Sequence, residues 1–501
     1  MVYRGPSKDC LPCRKRKLRC DLRKDGCGQC LRAGISCFGY RDANDLVFRD
    51  QTRSVQRKVL ASKATTAPLQ FGALKLKRAA LPHAGSLPPQ VQVAWNVRAR
   101  HDFFAHYVSG LSRSYDIILP ALYEKARPGD HLSASVDATS LAFLANRQPS
   151  CSAELFRLAA EHYIVALRRI NAALSNHQLA SSDSTLQSVL LLDHYEKMMG
   201  RDAKSEAPWV AHLNGALALI KARGYDDMTR SEVSRKLAKR LFTTLLISCH
   251  IAYTRIPEGV IELGRRLDVF QDEDDAKWRL SKTNQRMINF RIDVAEGNLS
   301  NGQIIATAKS LGDAYLEIEE TSSRRWHPRH VVASEEDPAN RPLIFGDHYD
   351  VYKDHYTTQV RNTIRVMHLQ LQFYIQTYLE DDGSDEFIRT LSESLIHTEA
   401  YAEDICAAVP QFLLPHAHPG NSTPFAPIQT LKCGILLPAL FTAGSASKNP
   451  DLRVWAINTM KYIAASGNLL LATKAARMLE EQPERDFRFV YAKMGWYSFT
   501  S

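Results

Sequence analysis

Six of the ten cysteines fall within 28 residues, at Cys10, Cys13, Cys20, Cys27, Cys30 and Cys37. The spacing is C-x2-C-x6-C-x6-C-x2-C-x6-C: two halves, each opening with a C-x2-C pair and ending in a lone cysteine. Thiolates bind Zn2+ well, and a C-x2-C pair lets two of them reach one tetrahedral ion from a single turn of chain. Two four-coordinate ions need more ligand places than six sulfurs fill singly, so two sulfurs must bridge both ions. The repeat in the spacing makes the first cysteine of each pair, Cys10 and Cys27, the bridging candidates. Cys13 and Cys20 then complete one site, and Cys30 and Cys37 the other. With sulfur in every coordination place, none is left for water or substrate, and both ions are structural. Two readings compete. One is a disulfide framework, for which six cysteines allow 15 pairings. The other is a zinc module that binds protein and not nucleic acid.

Five of the six residues between Cys13 and Cys20 are cationic: Arg14, Lys15, Arg16, Lys17 and Arg19. On a short helix anchored by metal they cannot all face the ions, so several must project outward. Cations of this kind contact phosphates, which position a protein, or base edges, which carry sequence information. Lysine can donate to guanine O6 and N7 in the major groove. The plainer reading of each cation is a solvated charge. The run also suits nuclear import, as does Lys75-Leu-Lys-Arg78.

The stretches Cys10-Leu-Pro-Cys-Arg-Lys-Arg-Lys-Leu-Arg-Cys-Asp21 and Cys27-Gly-Gln-Cys-Leu-Arg-Ala-Gly-Ile-Ser-Cys37 resemble the fungal Zn2Cys6 binuclear-cluster DNA-binding domain. All six ligand spacings match, as do the basic run after the second cysteine and Asp21 after the third. The resemblance implies two structural Zn2+ ions and double-stranded DNA as partner. It implies that Lys17 reads a guanine edge in a CGG-type triplet, that Arg14 and Arg16 hold phosphates, and that Lys15 and Arg19 are weaker contacts. The chain departs from the family in the loop before the fourth cysteine, where Asp25-Gly26 replaces a usual proline, and at Arg19, commonly lysine. Two later stretches, Thr185–Glu196 and His212–Gly224, resemble the fungal-specific transcription factor domain found downstream of such clusters. Gly39–Asp50 looks like the usual continuation after the sixth cysteine. Read without the resemblance, these stretches are packed helix, with Gly215 allowing close helix approach.

These residues need elements to hold them. The chain is 501 residues long, 45% hydrophobic and 24% charged. That is enough for a sizeable core without disulfides, and it excludes a disulfide mini-protein, a collagen-like chain and a wholly disordered one. Charge is uneven: residues 1–80 hold 19 Lys/Arg against 6 Asp/Glu, whereas the remainder carries a net −3. Two zinc ions and six thiolates would lower the N-terminal excess of +13 to about +11. A basic end on a near-neutral body implies a polyanion-binding segment carried by a globule. The first residues have no apolar h-region, so no secretory signal is expected. No apolar run is long enough for a membrane span; Cys433–Ala446 is too short and contains Pro438. Clustered cysteines in a reducing compartment bind metal more often than they pair.

The expected fold is mainly α, a small N-terminal zinc module joined by a linker to a large all-α domain. Residues 1–40 form the module, 41–92 a short helix and basic linker, and 93–501 the helical domain. The linker carries Pro68, Pro82, Pro88 and Pro89. Residues 152–175 repeat apolar positions every three to four residues. Asp183 is the expected N-cap of a helix over 184–199 that ends before Gly200. Thr229-Arg-Ser-Glu232 reads as a capping box for a helix closed by Pro257. Asn449-Pro450 opens a helix ended by Gly467. No alternating run argues for a sheet. The acidic segments Gln271–Asp275 and Glu380–Glu386 read as solvated interhelical loops, with an activation surface as the sharper alternative.

No G-x-S-x-G, H-E-x-x-H, Walker or G-x-G-x-x-G motif is present, so no enzyme is expected. His327 and His330 read as a solvated turn. Cys151, Cys249, Cys406 and Cys433 read as small buried apolar residues. The function expected is a nuclear, sequence-specific DNA-binding regulator of RNA polymerase II genes, with transcription co-regulators as further partners. A zinc-module interaction scaffold is the rival. Residues 46–63 place Phe48, Thr52, Val55 and Val59 at heptad spacing for under two heptads, which leaves monomer and homodimer both open.

Overall fold

The computed structural model of the protein describes residues 9–16, 18–23, 26–37, 93–111, 118–199, 207–272, 275–322, 326–336 and 338–482. The expected helix at 41–63 and the linker to residue 92 lie outside the described residues, as does Gly200.

Two five-residue helices, α1 (Leu11–Lys15) and α2 (Gly28–Arg32), belong to the cysteine-rich segment. From residue 95 the described residues are helical almost throughout. The longer helices are α3 (Trp95–Asp102), α4 (Ile118–Glu124), α5 (His131–Arg147), α6 (Ser152–Leu174), α7 (Asp183–Met198), α8 (Ala207–Arg223), α9 (Glu232–Ala252), α10 (Glu258–Asp268), α11 (Ala276–Ala295) and α12 (Asn301–Glu320). Then follow a strand pair, β1 (Arg329–Val332) and β2 (His348–Val351), and the helices α13 (His355–Tyr378), α14 (Asp385–Ala407), α15 (Pro427–Ala446), α16 (Pro450–Gly467) and α17 (Leu470–Glu481).

The helices form because their apolar residues recur at helical spacing and must share a core. In α6, Leu155, Ala159, Tyr163 and Ile170 are buried, while Leu167 and Leu174 pack at the margin. One large cluster joins α3, α5, α6, α12 to α17 and parts of α7, α9 and α11. A second joins α7 to α11 around Leu241, Phe242, Leu245 and Leu263. Gly264 lets α10 approach α9: a Cβ there would lie 2.8 Å from the Phe242 ring. Gly444 does the same for α15 against Leu479 of α17. Gly215, by contrast, faces open space and permits no close approach. The apolar run 433–446 is the C-terminal part of α15, buried within the body from Cys433 through Gly444. No described helix is long and apolar enough to cross a membrane.

Helix starts follow side-chain chemistry, with shifts from the sequence expectation. Ser182, not Asp183, caps α7, its hydroxyl accepting from the Thr185 amide at 3.2 Å. Asp183 is drawn instead to the buried Arg223 guanidinium. Ser231, not Thr229, caps α9. That helix ends at Tyr253 in the left-handed conformation (φ 51°), and Pro257 opens α10 instead of closing α9. Asn449 caps α16 with Pro450 at the first helical position, as expected. There Asn468 (φ 50°), one residue past Gly467, takes the left-handed position. Of the acidic segments, Asp275 caps α11, while Ser384 caps α14 and Asp385 and Glu386 form its first turn, so the second segment is a loop only up to its cap.

The strand pair departs from the all-α expectation. β1 and β2 run antiparallel with His330 opposite Asp350 and Val332 opposite His348. Tyr349, Ala333, Ile344 and Leu414 form a small satellite core beneath them. His330 therefore sits on a strand and not in a solvated turn. Four-residue strands are too short to show a period in the sequence.

Candidate metal centre and nucleic-acid interface

Cys10 precedes α1, Cys13 lies within it, and Cys20 follows the basic run. Cys27 caps α2, Cys30 lies within it, and Cys37 follows it. The two halves thus present their sulfurs from the same kind of helical turn. All six converge. Cys10, Cys13, Cys20 and Cys27 form one group whose sulfurs lie within 4.8 Å of one another. Cys10, Cys27, Cys30 and Cys37 form another. Cys10 and Cys27 are shared. The sulfurs of Cys10 and Cys27 are 3.6 Å apart, those of Cys10 and Cys30 3.6 Å, and those of Cys13 and Cys27 3.5 Å. A tetrahedral zinc with bonds of about 2.3 Å would hold its sulfurs about 3.8 Å apart, so the arrangement fits zinc.

Five of the six cysteines are buried, and in this segment they are the core. Leu11, Leu18, Leu22, Leu31 and Ile35 are all exposed, Leu31 by 78%. Burial pushes the Cys30 thiol up to about 12. Burial acts the same way on Cys27. There the Cys30 backbone N–H, at 3.3 Å, and the neighbouring thiols outweigh it and bring the group down to about 6.

Two features brace the halves. The Gly28 amide donates to both carboxylate oxygens of Asp21, at 2.9 and 3.1 Å, and Arg23 pairs with the same carboxylate at 3.2 Å. A Cβ on residue 28 would lie 2.6 Å from Asp21 Oδ2, so only glycine leaves room. Gly26, in the loop where the family places a proline one residue earlier, has φ +111° and turns the chain as only glycine readily does. The sequence marked Asp21 as a family residue without a task; its position just after a cysteine was the only signal.

Of the cationic candidates, Lys15, Arg16 and Arg19 are exposed. Lys17 and the side chain of Arg14 lie outside the described residues. The structure therefore places three of the five predicted contacts on the module's outer surface.

In the body, the stretch 185–196 forms the buried flank of α7. Tyr195 stacks on Tyr163 at 4.3 Å, and the Tyr163 hydroxyl donates to Glu196. Burial drives His194 well below its usual range. The end of the other stretch meets the start of this helix: Arg223 of α8 pairs with Asp183 and donates to Ser234 Oγ of α9 at 3.1 Å. Cys249, Cys406 and Cys433 are fully buried, and Cys151 half-buried. A cavity of about 360 Å3 opens between α9, α11, α13 and α15, with Lys236, Lys239, Arg240 and Lys277 among its lining. No Asp, Glu or Cys is among the described residues that line it, so it offers no carboxylate pair or thiol nucleophile.

Comparison with known proteins gives two domain matches. The fungal Zn(2)-Cys(6) binuclear cluster domain matches residues 8–45, and the fungal specific transcription factor domain matches residues 102–291. Both are transcription-factor domains and neither is an enzyme family. White-opaque regulator 2 of Candida albicans is 42% identical over 53 residues, covering 11% of this chain and 12% of that protein. No solved structure matches the chain.

Proposed function

We propose that this chain, which carries a fungal Zn(2)-Cys(6) binuclear cluster domain and a fungal specific transcription factor domain, is a nuclear transcription regulator. It reads duplex DNA at RNA polymerase II genes through its zinc-held N-terminal module. The observation that carries the reading is the pair of four-sulfur groups sharing Cys10 and Cys27. Two Zn2+ ions supply the bonds that replace an apolar core, with Cys10 and Cys27 bridging. Cys13 and Cys20 complete one site, Cys30 and Cys37 the other. Every place is taken by sulfur, so the ions build shape and do no chemistry on a substrate.

That shape fixes the short helix α1 and the basic run that leaves it. Lys15, Arg16 and Arg19, exposed together, suit phosphates. Lys17 reads the guanine edge of a CGG-like triplet, and Arg14 holds backbone, on the strength of the family pattern. Residues 1–40 are then the DNA-binding unit, 41–92 the spacer and 93–501 the regulatory body, where co-regulators dock. The Candida relative is named as a regulator, which agrees with this reading.

Selection of randomised duplexes with the full chain, with zinc and with a chelator at fixed salt, tests it. Zinc-dependent enrichment of CGG-like triplets is expected, and single against paired triplets separates monomer from homodimer. Lys17→Ala should cost about 1–3 kcal/mol on the preferred triplet and relax the preference, while Arg16→Ala weakens all sequences alike and lowers the salt slope by about one. Equal loss by both variants on every probe overturns the division of roles. Binding without enrichment reduces the module to a polyanion binder, and no binding moves it to protein partners.

A further inference from the structure

The geometry points to a separate metal site on the strand pair: His330, His348 and Asp350 bind a divalent transition ion of the Zn2+ type through two imidazoles and one carboxylate. The register puts the three on one face. His330 lies directly opposite Asp350, and His348 is two residues before Asp350 on the same strand, so the pleat turns both toward the same side. One ligand atom from each lies within 4.8 Å of the others. His330 Nδ1 is 2.6 Å from Asp350 Oδ1.

The carboxylate is not a solvated surface charge. The Asp350 side chain is only 5% exposed, whereas those of His330 and His348 are 69% and 46% exposed. Its other oxygen, Oδ2, accepts from the Tyr352 hydroxyl at 3.3 Å, and Arg365 in turn donates to Tyr352 at 2.7 Å. This chain of contacts engages Oδ2 and leaves the buried Oδ1 to the imidazole of His330. His348 Nδ1 is itself held by Asp347 at 2.8 Å. Carboxylate-held imidazoles and hydrogen-bonded carboxylates are how proteins orient metal ligands. A plain His330–Asp350 ion pair would need none of this, and no second imidazole.

The donor set selects the ion. Two imidazoles and a carboxylate suit Zn2+, Co2+ or Ni2+, not Mg2+ or Ca2+, which take oxygen. The exposed side of the face leaves room for water in the remaining positions. A bound ion would tie β1 to β2 across the intervening segment. The inference does not depend on the DNA-binding reading.

The test uses the full chain loaded with only two equivalents of Zn2+, enough for the cysteine cluster, then desalted, titrated with Co2+ and followed by visible absorption. Cobalt at the strand pair gives weak d–d bands and no sulfur-to-metal charge transfer, whereas cobalt entering the cysteine cluster gives intense charge transfer. We expect one equivalent of the first kind. His348→Gln, at an exposed position that folding does not need, should weaken it at least about ten-fold, and Tyr352→Phe by about ten-fold through loss of carboxylate orientation. Absence of any cobalt beyond the thiolate-bound fraction overturns the site. So does an extra equivalent that persists unweakened in the His330→Gln/His348→Gln double variant.

Discussion

Asp21 directs both carboxylate oxygens at the Gly28 amide, and that contact ties the first half of the zinc module to the second beside the sulfur contacts. Gly28→Ala, whose Cβ would press on Asp21, should cost roughly 1–2 kcal/mol of module stability. A competitive zinc titration would show about a ten-fold loss of affinity; unchanged affinity would mean that the sulfurs alone set the geometry. Asp21→Asn keeps the size but weakens the charge-assisted bond, and should fall between wild type and Gly28→Ala. The convergence of the six sulfurs was legible in the sequence, because short spacings leave the chain few ways to arrange C-x2-C pairs. The Asp21–Gly28 contact was not. It depends on Leu22 and Gly26 adopting positive φ, and the chain's path through that loop does not follow from spacing.

At the scale of elements, Arg223 is the junction of α7, α8 and α9. Its side chain is almost fully buried against Asp183 and Ser234. Arg223→Ala leaves Asp183 facing a vacated site and should destabilise the body by about 3 kcal/mol, read as a lower urea midpoint. A loss under about 1 kcal/mol would show the junction to be dispensable. His368 of α13 stacks on Tyr401 of α14 at 4.3 Å. Burial, and then nearby His397, pull it down to about 4. The unfolded chain binds that proton near pH 6.5, so the contribution is full above pH 6.5 and is lost as pH falls toward 4. Up to about 3 kcal/mol is at stake, and His368→Phe should flatten the fall in stability between pH 7 and 4.5. Helices such as α6 and α16 were legible because periodicity and caps act locally. The cap shift from Asp183 to Ser182 was not, since it turns on Arg223, 40 residues away. Nor was the strand pair, whose register is set by packing on Leu414 and by pairing across a 15-residue gap.

At the scale of the whole molecule, the charge split and the two kinds of core predict two separable responses. All six tryptophans lie at or after Trp95, so their fluorescence reports the body alone. A chelator should abolish DNA binding and melt the cysteine-rich segment while leaving the tryptophan signal and nearly all helical dichroism intact. A parallel loss of both signals would mean that the body leans on the module for its stability. The module's core also carries a liability that an apolar core does not. Sulfurs 3.5–3.6 Å apart need only lose their ions and meet an oxidant for a thiolate to attack its neighbour's oxidised sulfur and close a disulfide. A bond between Cys27 and either Cys10 or Cys13 removes a shared sulfur, and with it both ion sites at once. Oxidant and zinc thus compete for the same atoms, and stripped protein left in air should recover its zinc only after a reductant reopens those bonds.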